Sequence, residues 1–481
     1  MRISFDGREL GAYENESIGA ALHAAGVRIF SRSFKYHRPR GLFCMSGRCP
    51  NCMMRVNGVA NVRVCMEPVR EGAMVKSQNS FPNVSHDMFS VMDRFDFLFP
   101  IGFQYKKFIR PRFMWKYYER IIRETAGVAD IPDPDATSPS TYPAFNIKRD
   151  VEVAIVGGGP AGLAAAISAS KAGATVVLFD ENFCLGGHLV KQTSKESDAG
   201  VYSGLRGFEI ARRLLEEIKP IKTLAVYPET TVSGCFEGGI LTISRQMSFQ
   251  ELTPKATILA LGTYERTMLF ENNDLPGIFS ANGARTLMHV YGMRPGHRAV
   301  VTGHDGTMDD LAVELLEADV EVAAIVRPTA DKNAEKRPAQ LSNVPILSPF
   351  IVKSANGRKH VDRIEVVQVR QDGQPISGTE RSVRCDTLCY AGGTNPAFDL
   401  LFLAGCRMRY DPERDAFLPT TDRNLQSAPG IFAAGDVCGS RSIRETILEG
   451  SIGGLSAALH VGRGGKTEEN ARDDLIAQLP K

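Results

Sequence analysis

VEVAIVGGGPAGLAAAISASKAGATVVLFDE, residues 151–181, constrains the fold more than any other stretch of this 481-residue chain. An apolar, β-branched run from Val151 to Val156 leads into Gly157-x-Gly159-x-x-Gly162. A helix of small residues follows, then a strand from Thr175 to Phe179 that ends in Asp180 and Glu181. Strand, glycine turn, helix and strand in that order predict a βαβ unit with a parallel sheet. Gly157 makes the sharp turn. Gly159 lets a pyrophosphate approach the backbone at the helix N-terminus, which Pro160 and Ala161 open. Gly162 lets the helix pack close on the sheet. Asp180, 23 residues after Gly157, is placed to bond the ribose hydroxyls of an adenine dinucleotide.

Two distant segments belong with this unit. ATILALGTYER (256–266) is an apolar strand ending in Gly262-Thr263, and PGIFAAGDVCG (429–439) is a strand ending in Gly435-Asp436. Both resemble fingerprints of two-dinucleotide-domain flavoproteins, as does the Gly186-Gly187 turn. The resemblance implies FAD, with Asp436 serving the ribityl and pyrophosphate region. It also implies a discontinuous FAD domain that resumes after about residue 388. Between the two segments lies a second strand–helix–strand pattern, residues 297–327. Here Gly303 and Gly306 stand where a full fingerprint is wanted, and Asp305 and Met308 take the second and third glycine places. A carboxylate there repels pyrophosphate, and the second strand ends in Val326-Arg327 without an acid. This predicts a Rossmann-like domain that has lost NAD(P)H binding; the alternative is a divergent pyridine-nucleotide site. Cys184 has no partner at redox-pair spacing and Cys438 reads as a plain buried cysteine, so disulfide reductase chemistry is disfavoured.

Four of the ten cysteines crowd residues 41–65, as Cys44, Cys49, Cys52 and Cys65, with spacing C-x4-C-x2-C-x12-C. Zinc ribbons take two C-x2-C knuckles far apart. One C-x2-C preceded by C-x4-C is the loop spacing of plant-type 2Fe-2S ferredoxins. Gly41, Gly47 and Gly58 allow tight turns around it. The flanking sequence predicts a small β-grasp domain. It has a hairpin turning at Asp6-Gly7, a helix capped by Ser17, and a second hairpin turning at Asn57-Gly58. A zinc site remains the alternative reading.

Residues 81–120 concentrate aromatic side chains, including the single tryptophan, Trp115. Such a bridge packs either on its own domains or against a partner subunit. Residues 128–143, rich in Pro, Asp, Ser and Thr, read as the flexible linker. The composition is 43% hydrophobic and 23% charged with a net charge of +2, which fits a globular protein and gives no sign of a nucleic-acid partner. The N-terminus shows no signal-peptide pattern, and no apolar run is long enough to span a membrane. A reducing, cytoplasmic setting is expected.

The chain resembles the alpha subunits of heteromeric sarcosine oxidases, dye-linked proline and hydroxyproline dehydrogenases, opine oxidases and hydrogen cyanide synthase. The resemblance rests on residues 31–44, 49–65, 103–119, 153–166, 262–284 and 430–439. It implies an electron-carrying subunit that works beside a beta subunit with its own FAD, which oxidises the C–N bond of an amino acid or N-alkyl amino acid. It also implies that an FMN can lie between the two subunits, that a small additional subunit can join, and that an external acceptor takes the electrons. In this family the first Rossmann site holds FAD, NAD or ATP. Three departures matter. Sarcosine oxidase alpha subunits lack the full set of cluster cysteines, whereas this chain has all four. They carry a folate-related C-terminal domain, and some relatives carry a further cysteine-rich cluster domain; neither is expected here. These departures favour a dehydrogenase.

The expected fold is thus mixed α/β and α+β. An N-terminal β-grasp 2Fe-2S domain precedes a glutathione-reductase-like flavoprotein with an inserted second Rossmann-like domain. The expected boundaries are 1–87 for the cluster domain, 88–148 for bridge and linker, 149–264 and 388–465 for the FAD domain, 265–387 for the insert, and 466–481 for a polar tail. Cofactor contacts are expected from Gly157, Gly159, Pro160, Ala161, Gly162, Asp180, Glu181, Gly187, Gly262, Thr263, Gly435 and Asp436. Metal ligands are expected from the four cysteines, and no catalytic residue is assigned. The competing function is a self-contained NAD(P)H-dependent flavin reductase feeding its own cluster.

Overall fold

The computed structural model describes residues 1–95, 97, 110–125, 146–147, 150–245, 248–303, 307–329, 337–439 and 442–480. The chain forms two compact units, Met1–Ala136 with Glu265–Gly393, and Thr137–Tyr264 with Thr394–Lys481.

The first unit begins with a mixed five-stranded sheet. Its order is Arg8–Gly11, Arg2–Phe5, Ala73–Lys76, Met53–Val56, Val59–Arg63. Asp6 (φ 47°) and Gly7 (φ 83°) turn the first hairpin, and Asn57 (φ 49°) and Gly58 (φ 86°) turn the second. Two consecutive positive φ values match the right-handed strand twist, and Asn-Gly and Asp-Gly supply them at low cost. Helix Ile18–Ala24 packs its apolar face on Ile3, Met54 and Val75, and the Ser17 hydroxyl accepts the N–H of Ala20.

The second part of this unit is a parallel sheet in the order Ile278–Ser280, Thr387–Ala391, Arg298–Gly303, Glu321–Val326, Ile346–Leu347. Helix Met308–Glu317 crosses over between two of its strands, and an antiparallel meander covers residues 350–384. The expected return to the FAD domain at 388 differs from this pairing. Thr387–Ala391 lies between two strands of the insert, and the unit boundary falls after Gly393. All five residues of that strand are buried, and a strand buried on both faces looks the same in either sheet. Both parts of the unit share one hydrophobic core, in which Leu42 and Met45 join Phe279, Ala284 and Leu287.

The second unit is built on a six-stranded sheet, Leu224–Tyr227, Val176–Phe179, Val153–Val156, Ala256–Leu259, Ile431–Ala433, Gln426–Ala428. Only the last pair is antiparallel. Helix Pro160–Lys171 links two neighbouring parallel strands and packs on helix Ile443–His460. A Cβ on Gly450 or Gly454 would sit 2.2 or 2.4 Å from the carbonyl oxygen of Ala161 or Ala165, so the two helices meet backbone to backbone. The segment expected as a polar tail contains a helix, Lys466–Ile476. Glu468 caps it by accepting the N–H of Gly465.

Helix Trp115–Thr125 is described within the bridge, with Tyr117 in it and Phe113 just before it both exposed; the expected flexible linker lies outside the described residues. No described helix is long and apolar enough to cross a membrane.

Candidate cluster loop and dinucleotide cradle

In the first unit, local hydrogen bonds fix the four-cysteine loop from three sides. The first N–H groups of helix Ile18–Ala24 have no partner within the helix. Two of them turn outward instead, Ile18 to the carbonyl of Glu67 and Gly19 to that of Val64, and so bracket Cys65. Gly19 leaves room for this, because a Cβ there would come within 3.1 Å of the Cys65 backbone. The Ser31 hydroxyl donates to the carbonyl of Asn51 inside the C-x2-C turn. Met45 (φ 49°) and Gly47 (φ 70°) bend the C-x4-C turn back.

The result brings all four sulfurs together. Cys44 and Cys49 lie 3.3 Å apart, and the Cys65 sulfur reaches both Cys44 and Cys52. Cys44, Cys52 and Cys65 are buried and Cys49 is half-buried. Thiol donors from Cys49 and Cys65 hold Cys44 well below the usual thiol range, whereas Cys49 and Cys65 are pushed above it by the bond to Cys44 and by burial. Metal binds thiolates, so loading metal here releases protons. Among the described residues, no three ligand-type side chains surround a single ion-sized point. The spacing C-x4-C-x2-C-x12-C, rather than the sulfur contacts, points to a two-iron cluster.

In the second unit, the glycine fingerprint forms a cradle that side chains would fill. Gly157 has φ 105°, and a Cβ there would lie 2.2 Å from the carbonyl oxygen of Ala260. A Cβ on Gly162 would lie 1.8 Å from the Gly157 oxygen. Helix Pro160–Lys171 starts with no side-chain cap at Gly159, leaving its first N–H groups for an anion. Gly187 (φ 57°) passes so near the loop that its Cβ would be 2.9 Å from the Gly159 Cα. Gly262 faces open space, and a Cβ on Gly435 would sit 2.7 Å from that of Ala161. The residues fit a dinucleotide.

The acids are already engaged. Asp180 accepts the N–H of Gly158 at 2.6 Å and that of Asn182 at 2.7 Å. Burial pushes its pKa up while these donors pull it back. Glu181 is exposed. Asp436 is likewise pushed up by burial and accepts the Thr446 hydroxyl at 2.9 Å, and Glu449 accepts the Gly435 N–H at 2.7 Å. Sequence reasoning missed Thr446 and Glu449. They lie three apart in the first two turns of helix Ile443–His460, on the face that meets Gly435-Asp436.

His188 was missed too. It follows Gly186-Gly187 and its Nε2 meets the carbonyl of Thr263 at 3.2 Å, tying the two-glycine turn to the second fingerprint. The nearby Lys191 charge and then burial lower its pKa to about 3. Below about pH 6.5 the unfolded chain takes up a proton that folded His188 refuses, so stability falls as pH drops through this window. His23 in the first unit, lowered to about 4 chiefly by burial, adds the same sign. His188→Asn keeps a donor for Thr263 without the titration and is expected to flatten the acid limb of a Tm-versus-pH curve. An unchanged limb would show that His188 is not the titrating group.

In the insert, one ion pair ties the start of the helix to the end of the second strand. Asp309, in the first turn of helix Met308–Glu317, pairs with Arg327 at the end of the second strand, both largely buried. Asp305 lies outside the described residues, and Met308 is buried in the core. No redox pair stands near the cradle among the described residues: Cys184 is exposed, and the Cys438 thiol is pushed well above the usual range by burial.

Comparison with known proteins matches a profile over each of the two regions. Residues 1–80 match the profile described as a 2Fe-2S iron-sulfur cluster binding domain. The alpha subunit of sarcosine oxidase from Rhizobium meliloti (strain 1021) is 30% identical over 460 residues, covering 90% of this chain and 44% of that protein. An opine oxidase subunit from Agrobacterium tumefaciens (strain Ach5) is 26% identical, covering 65% of this chain and 66% of that one. The chain thus spans less than half the length of the sarcosine oxidase subunits it matches. The crystal structure of L-proline dehydrogenase from P. horikoshii shares the fold, with a TM-score of 0.67 at 24% identity over 98% of this chain and 76% of that one. The cofactors are therefore a 2Fe-2S cluster and FAD, and the named relatives are subunits of larger assemblies. Residues 151–462 match the profile described as pyridine nucleotide-disulphide oxidoreductase, and the chain belongs to that family.

Proposed function

We propose that this chain is the electron-transfer subunit of a heteromeric flavin-dependent amine dehydrogenase or oxidase. The observation that carries the reading is one chain holding both a four-thiol loop and a dinucleotide cradle, with no redox cysteine pair beside the cradle among the described residues. When bound, FAD accepts electrons in pairs and an iron–sulfur cluster passes them singly. The chain's own residues hold and insulate. Cys44, Cys49, Cys52 and Cys65 would ligate the cluster. Gly157, Gly159, Pro160, Ala161 and Gly162 would seat the pyrophosphate, and Asp180 and Glu181 would serve the ribose. Gly187, Gly262, Thr263, Gly435 and Asp436 would line the rest of the flavin site.

Oxidation of the amino acid or N-alkyl amino acid belongs, in this reading, to an FAD-containing beta subunit. An FMN at the subunit interface, a small further subunit, an external acceptor and a cytoplasmic location complete it. Names of relatives such as sarcosine oxidase and opine oxidase support the amine class. The test is the chain co-expressed with its neighbouring subunits, assayed for iron, sulfide, FAD and FMN and titrated anaerobically. Bleaching of flavin and cluster by a secondary amino acid is expected, with no amine oxidation by the chain alone. Amine turnover by the isolated chain would overturn the division of labour. Rapid bleaching by NADH or NADPH would instead establish the self-contained reductase, against which the Asp309–Arg327 pair stands.

A further inference from the structure

The residues leading into the first cluster-type cysteine are pressed onto the insert. The Arg38 guanidinium pairs with Asp274 at 3.2 Å and donates to the Asn272 side chain, and Arg40 reaches Asp274 at 3.9 Å. A Cβ on Gly41 would lie 2.9 Å from the Cα of Pro276. Phe43, directly before Cys44, accepts at its carbonyl the Ser280 N–H at 3.1 Å and the Ser280 hydroxyl at 3.4 Å. The Phe43 ring meets the Tyr390 ring, with centroids 5.5 Å apart. The tightest contact is at Gly283, where a Cβ would stand 2.1 Å from the Phe43 oxygen. Gly283 lies in helix Ala281–Arg285 and its φ is not positive, so conformational freedom does not explain a glycine there. The close approach of the loop does.

Neither half of this contact can move easily. Ser280 is fully buried, its hydroxyl also accepts the Gly283 N–H, and Ala281, Ala284 and Leu287 lie in the core shared with Leu42 and Met45. Interiors of this density answer an added methyl with strain rather than collapse.

We propose that the inserted domain serves as the rigid seat of the iron–sulfur loop, with Ser280 and Gly283 positioning Phe43 and hence Cys44. The proposal rests on the reading of the four cysteines as cluster ligands. It gives this Rossmann-like domain a task other than nucleotide binding, namely fixing one ligand-bearing turn and shielding it from water.

The experiment uses the full chain, purified anaerobically, with Gly283→Ala and the milder Ser280→Ala. FAD content and far-ultraviolet circular dichroism report the fold. Gly283→Ala is expected to lose iron to a chelator about tenfold faster than the parent. Its reduced cluster should show altered g-values, and Ser280→Ala should show the same changes more weakly. Amide exchange at residues 41–45 should quicken in both variants, with or without iron. Parent-like iron retention, spectrum and exchange in both variants would overturn the seat. A parent chain without iron or sulfide, yet with faster exchange in the variants, would overturn the cluster reading while leaving the contact in place.

Discussion

Cys65→Ala is expected to retain about a tenth or less of the parent's iron and acid-labile sulfide, because a lost ligand removes far more affinity than a lost second-sphere bond. FAD content should not change. Cys65 is tightly held: it is 3% exposed, bracketed by the helix N–H bonds to Val64 and Glu67, and in reach of two other sulfurs. The loss of a small buried side chain costs about 1 kcal/mol by itself. The control is Cys385→Ala, which removes an equally buried thiol outside the loop. Quantified iron and sulfide decide the matter. Full iron in Cys65→Ala, or equal loss in Cys385→Ala, would remove Cys65 from the ligand set.

Gly162→Ala is expected to release FAD on gel filtration and to lower Tm by several degrees. Helix propensity argues the other way, since alanine is favoured over glycine inside a helix by ~1 kcal/mol. The collision decides, because a Cβ 1.8 Å from the Gly157 carbonyl must push the helix off the glycine turn. Overpacking of this kind costs ~1–3 kcal/mol or more. It also misplaces the N–H groups that face the pyrophosphate. Gly453→Ala separates the two effects. It sits inside helix Ile443–His460, and its Cβ would meet nothing nearer than 3.6 Å, so it should hold FAD and gain stability. Retention of FAD by Gly162→Ala would show that the loop tolerates a shift and that the cradle is looser than its geometry implies.

Features whose cause is local were legible in the sequence. Asp6-Gly7 and Asn57-Gly58 announce their hairpins because those turns need positive φ at adjacent residues. Gly162 answers to Gly157 five residues earlier, and Gly157 to Ala260 at the end of the next strand. The insert was harder. Its closing strand, Thr387–Ala391, is recognised only by pairing with strands made about ninety residues or more earlier. The Asp180–Gly158 bond shows a related limit: the type of acid was expected, whereas its partner in the protein is a matter of packing. His188 carries no pattern of its own, and only the fold sets it against Thr263. The contact of Phe43 with Ser280 and Gly283 joins residues nearly 240 positions apart, beyond the reach of any spacing rule.

The backbone-to-backbone contact of helices Pro160–Lys171 and Ile443–His460 has a consequence for how the protein is made. Ala161 and Ala165 are covered by Gly450 and Gly454, which the ribosome adds about 290 residues later. At ordinary elongation rates that interval lasts roughly 15 to 60 s. Throughout it, one face of the small-residue helix beside the glycine turn stays bare. The four-thiol domain, by contrast, has all its cysteines out at the start. Synthesis therefore sets an order: the thiol domain and its seat on the insert are both out before residue 450, and the flavin cradle is finished last. A nascent chain halted before residue 450 would carry a half-built cradle with an open apolar flank, a target for chaperones rather than for cofactor.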